Sequence, residues 1–328
     1  MDRREAMGLG MVAALSTQAL ADTVLPGDGA LPGDPTETIT LWPDTPPGGE
    51  GMVLPVNRVT ERAAAGAPQD RFTDRIGAPR LDVFRPDRPD GSAVIIAPGG
   101  AYVREVLDGE GFETARRLNG AGVTAFVLRY RLPNEGWARR SDVPLQDAQR
   151  AMRLVRANAG HYGVDPVRLG FMGFSAGGHV AASIATRFAV PVYPPRDSAD
   201  GMDAKPAFVV AMYPVVTMGD GAHAGSRDNL LGPSPIPAEI AAYSCEKSVT
   251  ADTPACFVCL AADDTTVPPM PNGVAFFAAL RAANVPAELH MFEHGGHGFG
   301  IAKAAGKPVA AWPDLMIAWC RSHNFFKA

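Results

Sequence analysis

The chain has 328 residues, 46% of them hydrophobic, with 30 Lys and Arg against 35 Asp and Glu and a formal net charge of −5 at pH 7. That apolar content can bury a large core, which excludes a mainly disordered chain, and the length suits one α/β domain built around a single sheet. No basic stretch offsets the negative balance, so a nucleic-acid partner has no electrostatic footprint.

Taken in chain order, the first feature is Arg3-Arg4, followed by an apolar, small-residue run over residues 6–15 and then Ala19-Leu20-Ala21. A positive n-region, a short h-region and an A-x-A site over residues 1–21 spell a cleavable export signal, and paired arginines resemble the twin-arginine type. The run is too short to cross a bilayer, so no membrane span is expected in the mature protein. That protein would begin near Asp22 and work in the periplasm or outside the cell. Export would permit disulfides. Yet Cys256 and Cys259 lie three apart in a strand-like run, point to opposite faces and cannot readily bridge, so buried, small-hydrophobe roles are expected for most of the four cysteines.

Residues 22–77 are rich in Pro, Gly and polar side chains without a sustained period, and read as an extended arm with Leu41-Trp42-Pro43 as its anchor. From residue 78 to 328, read as the main domain, short apolar runs alternate with helical patterns. Strands are predicted over 81–84, 93–97, 123–130, 169–173, 208–215, 256–262 and 287–292, where β-branched and aromatic residues concentrate. A helix over 144–159 keeps Ala148, Met152 and Val155 on one face. Continuous apolar strands separated by helices predict a mostly parallel sheet flanked by helices on both faces. Residues 217–249 interrupt the alternation, are long for a plain loop, and are expected at the substrate rim.

The strongest chemical signal is Gly173-Phe174-Ser175-Ala176-Gly177-Gly178, which follows a predicted strand and opens a helix through Val180, Ala181, Ile184 and Ala185. Strand, tight turn and helix are the setting of a G-x-S-x-G nucleophile elbow, in which glycines remove Cβ atoms where the turn packs closely. A serine hydroxyl is a weak nucleophile and needs a base with an orienting partner. Histidine suits the task because its ordinary pKa of about 6.5 lets it take and return a proton near neutrality. Of seven histidines, His161 and His323 sit on helical patterns, His290 lies in a strand, and His179 follows the elbow on its helix in a structural setting. His223 falls in the irregular segment and could at best touch substrate. The glycine-rich loop Glu293-His294-Gly295-Gly296-His297-Gly298 holds the other two, and glycines on both sides favour His297 over His294. A metal set of Glu293, His294 and His297 lacks the helical H-E-x-x-H spacing, so no metal or other cofactor is expected.

In hydrolases of this kind the acid comes between serine and histidine in sequence. Asp263 and Asp264 end the predicted strand 256–262, where ligand-handling loops cluster in open α/β sheets. Asp264-Thr265-Thr266-Val267-Pro268 makes Asp264 the better acid and Asp263 a helper. An oxyanion needs fixed backbone donors. Ala176 supplies one N–H, and Gly100 or Ala101, in Pro98-Gly99-Gly100-Ala101-Tyr102, the second. Tyr102 and Glu110 are weaker, substrate-contact candidates.

The chain resembles α/β-hydrolase esterases related to acetylxylan esterases, often labelled endo-xylanase-like, over about residues 40 to 325. The matching motifs are Ala97-Pro98-Gly99-Gly100, Tyr130-Arg131-Leu132-Pro133, Asp147-Ala148-Gln149-Arg150-Ala151, residues 173–179, residues 263–268 and Gly296-His297-Gly298-Phe299-Gly300. Ala101 departs from the third glycine usual there, and would be strained at a positive φ. Asp147 and Arg131 are expected to tie the scaffold together. The resemblance implies the α/β-hydrolase fold, His297 as base, and a carboxylesterase that removes short acyl groups, acetyl above all, from a carbohydrate such as xylan through an acyl-enzyme on Ser175. Other readings are a general short-chain esterase or peptidase-like hydrolase, since the triad serves both, and a catalytically silent binding protein, since fold does not imply activity.

Overall fold

The structure, a computed structural model, describes residues 22–327; the expected export signal lies outside them. Twelve strands are formed among these residues: β1 (Thr23–Leu25), β2 (Thr38–Thr40), β3 (Arg58–Glu61), β4 (Arg71–Asp74), β5 (Arg80–Phe84), β6 (Ala93–Ala97), β7 (Glu105–Val106), β8 (Thr124–Arg129), β9 (Leu169–Phe174), β10 (Phe208–Met212), β11 (Ala255–Ala261) and β12 (Ala287–Phe292). The α-helices are α1 (Glu113–Asn119), α2 (Val143–Ala157), α3 (Ala159–Tyr162), α4 (Ala176–Arg187), α5 (Ala224–Leu231), α6 (Pro237–Tyr243), α7 (Ala275–Ala282) and α8 (Trp312–Ser322).

Eight strands build the central sheet in the order β12-β11-β10-β9-β6-β8-β5-β2. The six from β12 to β8 are parallel, whereas β5 is antiparallel to β8 and β2 antiparallel to β5. Every residue of β6, β8, β9 and β10 is buried, as two-sided helix cover requires of an apolar strand. Successive side chains feed opposite faces. Ile95, Phe171 and Val209 pack with α2, α4 and α7, while Val94, Ile96, Met172 and Val210 pack with α1 and α8. Ala148, Met152 and Val155 of α2 are all buried, as the 3.6-residue period of that segment demands. All four cysteines are buried. No helix among the described residues is long and apolar enough to cross a membrane.

The stretch from 22 to 77, read as an extended arm, carries four strands. β2 joins the edge of the main sheet, and β1, β3 and β4 form with β7 a second, antiparallel sheet in the order β1-β3-β4-β7. Leu41 and Trp42 are buried, and the Trp42 indole donates to Asp147 Oδ1 at 2.7 Å. Asp147 also pairs with Arg131 at 2.8 Å, both fully buried. Arg131 spreads its remaining donors over Pro47 O and Gln146 Oε1, which a guanidinium taken out of water needs. The segment 217–249 holds α5 and α6 and so is more ordered than its sequence suggests.

Candidate active site

Ser175 stands between the end of β9 and the start of α4 with φ 53° and ψ −116°. Such a conformation in a residue with a Cβ costs on the order of 1–3 kcal/mol and persists only when its surroundings hold it. The Ser175 N–H donates to Met212 O at 3.0 Å, and its carbonyl accepts from Val215 N at 3.0 Å and His179 N at 3.2 Å. The elbow glycines are sterically required: a Cβ on Gly173 would lie 1.9 Å from Gly177 O, and one on Gly177 2.1 Å from Ala97 O.

Ser175 Oγ lies 2.8 Å from His297 Nε2, and His297 Nδ1 lies 2.6 Å from Asp264 Oδ2. A carboxylate only accepts, so Nδ1 carries the proton and Nε2 is left to accept from the serine hydroxyl. Asp264 is itself fixed, because Oδ1 accepts from Thr266 N and Val267 N, each at 2.9 Å. Its neighbour Asp263 points elsewhere and accepts from Gly295 N and Gly296 N at 2.9 and 2.8 Å, which holds the histidine loop. These two backbone donors, Gly296 first, keep the Asp263 carboxyl below its ordinary range. His294 is exposed and leans on Asp263 and Glu293 rather than on the serine. Among the described residues no group of three or more His, Cys, Asp or Glu is placed to share a metal ion.

Ala176 opens α4, where the first N–H groups have no partner inside the helix and face a positive dipole end. Across from it, Gly100, Ala101 and Tyr102 all have positive φ, at 138°, 55° and 62°. The Gly100 and Ala101 N–H groups have no backbone partner among the described residues, and both residues line the cleft beside Ser175. The Gly99 N–H is taken by Glu110 Oε2 at 2.6 Å. Ala101 therefore occupies the left-handed region that its replacement of glycine made costly, and Asn229 Nδ2 steadies it by donating to Ala101 O at 2.9 Å.

Tyr102 is not a substrate contact. Its ring is 1% exposed, and its hydroxyl lies 2.7 Å from His179 Nδ1, beneath the nucleophile helix. His179 Nε2 donates to Tyr243 O at 2.8 Å, so Nδ1 accepts from the tyrosine. Burial pushes the His179 pKa down to about 4. The buried, neutral ring thus disfavours acid: the unfolded chain takes up this proton near pH 6.5 and the native state only near 4. The His179 contribution to stability is complete above pH 6.5 and falls by on the order of 3 kcal/mol as pH drops to about 4. Urea unfolding of wild type and His179→Gln between pH 7 and 4 checks this, since the variant lacks that portion of the slope.

Glu110 does line the cleft, but both its oxygens are already engaged, on Gly99 N and on the Tyr213 hydroxyl at 3.0 Å. The cleft has a volume of about 560 Å³, and His223, Arg104 and Lys303 also reach it. One wall comes from the 62–70 turn between β3 and β4, through Arg62, Pro68, Gln69 and Asp70. Sequence reasoning missed that wall, Asn229 and Tyr213. Only Tyr213 carried a signal, its place at the C-terminal end of a sheet strand.

An elbow serine above a parallel sheet, a histidine loop after the last strand and an acid after the one before it define the α/β-hydrolase class with a Ser-His-Asp triad. Within that class, the chain belongs to the BD-FAE family, whose model matches residues 81–279. It is 32% identical over 229 residues to an acetylxylan esterase of Xylanibacter ruminicola, covering 69% of this chain and 44% of that protein. It is 36% identical over 209 residues to endo-1,4-beta-xylanase B of Butyrivibrio fibrisolvens, covering 64% of this chain and 32% of that one. The chain thus spans less than half the length of either relative. Among solved structures, an acetyl ester-xyloside bifunctional hydrolase from Caldicellulosiruptor lactoaceticus superposes with a TM-score of 0.74 at 31% identity, over 89% of this chain and 98% of that one.

Proposed function

We propose that this protein is a serine carboxylesterase that removes short acyl groups, acetyl above all, from carbohydrate esters such as those of xylan. The observation that carries the reading is the unbroken line from Ser175 Oγ through the His297 ring to Asp264, beside free backbone donors in a cleft. Ser175 Oγ attacks the ester carbon while His297 Nε2 takes its proton, and the carbonyl oxygen gathers charge between Ala176 N–H and the Gly100–Ala101 donors. His297 then gives that proton to the leaving alcohol, and water, deprotonated by the same nitrogen, releases the acid from Ser175. No cofactor enters these steps.

The carbohydrate part of the reading rests on the relatives, an acetylxylan esterase and an acetyl ester-xyloside hydrolase, and on a cleft wall rich in hydrogen-bonding groups: Arg62, Gln69, Asp70 and Arg104. The arginine pair and apolar run before Asp22 support export, which suits a polymer outside the cell. A panel of acetylated xylo-oligosaccharides, aryl acetate, aryl octanoate and peptide anilides tests the reading. The expected order is acetyl esters at least about tenfold above octanoate in kcat/KM, with no peptide turnover. Preference for octanoate or peptide would overturn the proposal, as would an intact protein that neither turns over any ester nor reacts with a serine-directed phosphonate.

A further inference from the structure

We infer that Glu110 is a positioning residue that ties the oxyanion loop to the loop carrying His297, holding the two halves of the catalytic apparatus at one spacing. The inference rests on the esterase reading above. Glu110 sits in a wide helical turn, Leu107–Phe112, between β7 and α1. Its Oε2 accepts the Gly99 N–H at 2.6 Å, one residue before the oxyanion donors, and its Oε1 accepts the Tyr213 hydroxyl at 3.0 Å. The Tyr213 oxygen in turn accepts from Gly300 N at 3.3 Å, so its own proton is committed to Glu110. The Tyr213 ring stands edge-on to His297 with centroids 5.1 Å apart, and to Phe299 at 4.5 Å. A hydrogen-bonded line therefore runs from Gly99 through Glu110 and Tyr213 to Gly300, spanning the site from one loop to the other.

Three further observations give the line its purpose. By engaging Gly99, Glu110 removes that N–H from competition and leaves Gly100 and Ala101 to receive the oxyanion. The turn that bears it is rigidly mounted, since Asp108, two residues earlier, takes Arg71 Nε at 2.9 Å, Arg71 Nη2 at 2.6 Å and Arg71 N at 2.7 Å. And Glu110 forms no salt bridge among the described residues, although it is 5% exposed. The groups that face it are Tyr213 from the end of β10, His297 and Lys303 from the segment after β12, and Tyr130 from the end of β8. A carboxylate buried without a salt bridge is an expensive way to fill space, because burial raises its pKa. An apolar side chain of that size would pack at lower cost but could not hold either loop.

The test compares wild type with E110A, E110Q and Y213F on aryl acetate, each rate normalised to active sites counted by labelling to completion with a serine-directed phosphonate. E110A is expected to lose about a hundredfold in kcat per site with KM within about threefold, as loss of an aligned oxyanion donor does. A trifluoromethyl ketone, which mimics the tetrahedral adduct, should weaken by the same factor. E110Q, which keeps an acceptor for Gly99 and offers the Tyr213 oxygen a donor in place of the acceptor it has in wild type, should regain at least about tenfold of the loss. Y213F, which cuts the line without emptying the turn, should lose about tenfold in kcat alone and keeps the question open to measurement if E110A fails to fold. Unchanged kcat per site in E110A or Y213F, a rise in KM alone, or equal losses in E110A and E110Q would overturn the inference while leaving the esterase reading intact. A wild type that turns over no ester and takes up no serine-directed phosphonate, or phosphonate labelling that survives S175A, would overturn that reading itself and this inference with it.

Discussion

Ser175→Ala is expected to lower kcat on aryl acetate by about a million-fold, His297→Ala by about the same, and the double variant by no more than either alone. The reason is that neither side chain acts by itself. The hydroxyl attacks only as fast as Nε2, 2.8 Å away, accepts its proton, and the imidazole has no other nucleophile to serve. Once the pair is broken, what is left is binding and the backbone donors of Ala176 and the Gly100–Ala101 loop, worth roughly 10³–10⁴ over water. Single-turnover rates measured on folded protein decide the matter. If the double variant lost the product of the two single losses, Ser175 and His297 would be working independently and the relay would be wrong. Folding of the Ser175→Ala variant should be unimpaired, because the backbone at φ 53° is held by Met212, Val215 and His179 rather than by the hydroxyl.

The parts of this site that were legible in the sequence are those where chemistry and chain geometry coincide. Gly173 and Gly177 are glycines because backbone oxygens lie about where their Cβ atoms would be, so the motif is a steric requirement written in residue types. The central strands were legible for a similar reason: burial on both faces favours apolar side chains, and β6 and β10 spell this out. The second sheet was not. Its strands β3 and β4 read Arg-Val-Thr-Glu and Arg-Phe-Thr-Asp, four residues each with charged ends, too short for a period and too polar for a core. Arg71 is fully buried only because Asp34 and Asp108, each 37 residues away, close around it. Long-range pairing of this sort leaves no local trace.

Tyr102 and Glu110 show the same limit inside the site. Both lie near the glycine loop in sequence, and nearness alone suggested contact with substrate. For Tyr102 the direction of the side chain decided otherwise. Tyr102, in the left-handed region, turns its ring into the core against His179, and Glu110 spends both oxygens on the protein. The strain foreseen at Ala101 is real, with φ at 55°, and it is tolerated because Asn229 grips its carbonyl and Tyr102 anchors the next residue. Loops that must aim donors at a developing charge are held from behind by residues whose identity the loop itself does not reveal.

Asp264→Asn is expected to lower kcat by about 10⁴ while Asp263→Asn stays within about fivefold of wild type, and the structure says why two adjacent carboxylates should differ so much. Asp264 Oδ1 accepts from Thr266 N and Val267 N at 2.9 Å each, so the amide oxygen of an asparagine there is drawn to that position. Its NH2 group then faces His297 Nδ1, where the carboxylate oxygen stood at 2.6 Å. A donor in that place forces Nδ1 to accept, which moves the ring proton to Nε2 and leaves Ser175 with no base. The geometry survives and the tautomer is wrong. Asp263 holds the Gly295 and Gly296 N–H groups through Oδ1, with the exposed His294 ring leaning on Oδ2, and an asparagine oxygen can take both amides. Nitrogen-15 shifts of the His297 ring should show Nδ1 protonated in wild type and in Asp263→Asn, and Nε2 protonated in Asp264→Asn. Equal losses of rate in the two variants, or an unchanged tautomer in Asp264→Asn, would show that Asp264 is not the residue that orients the base.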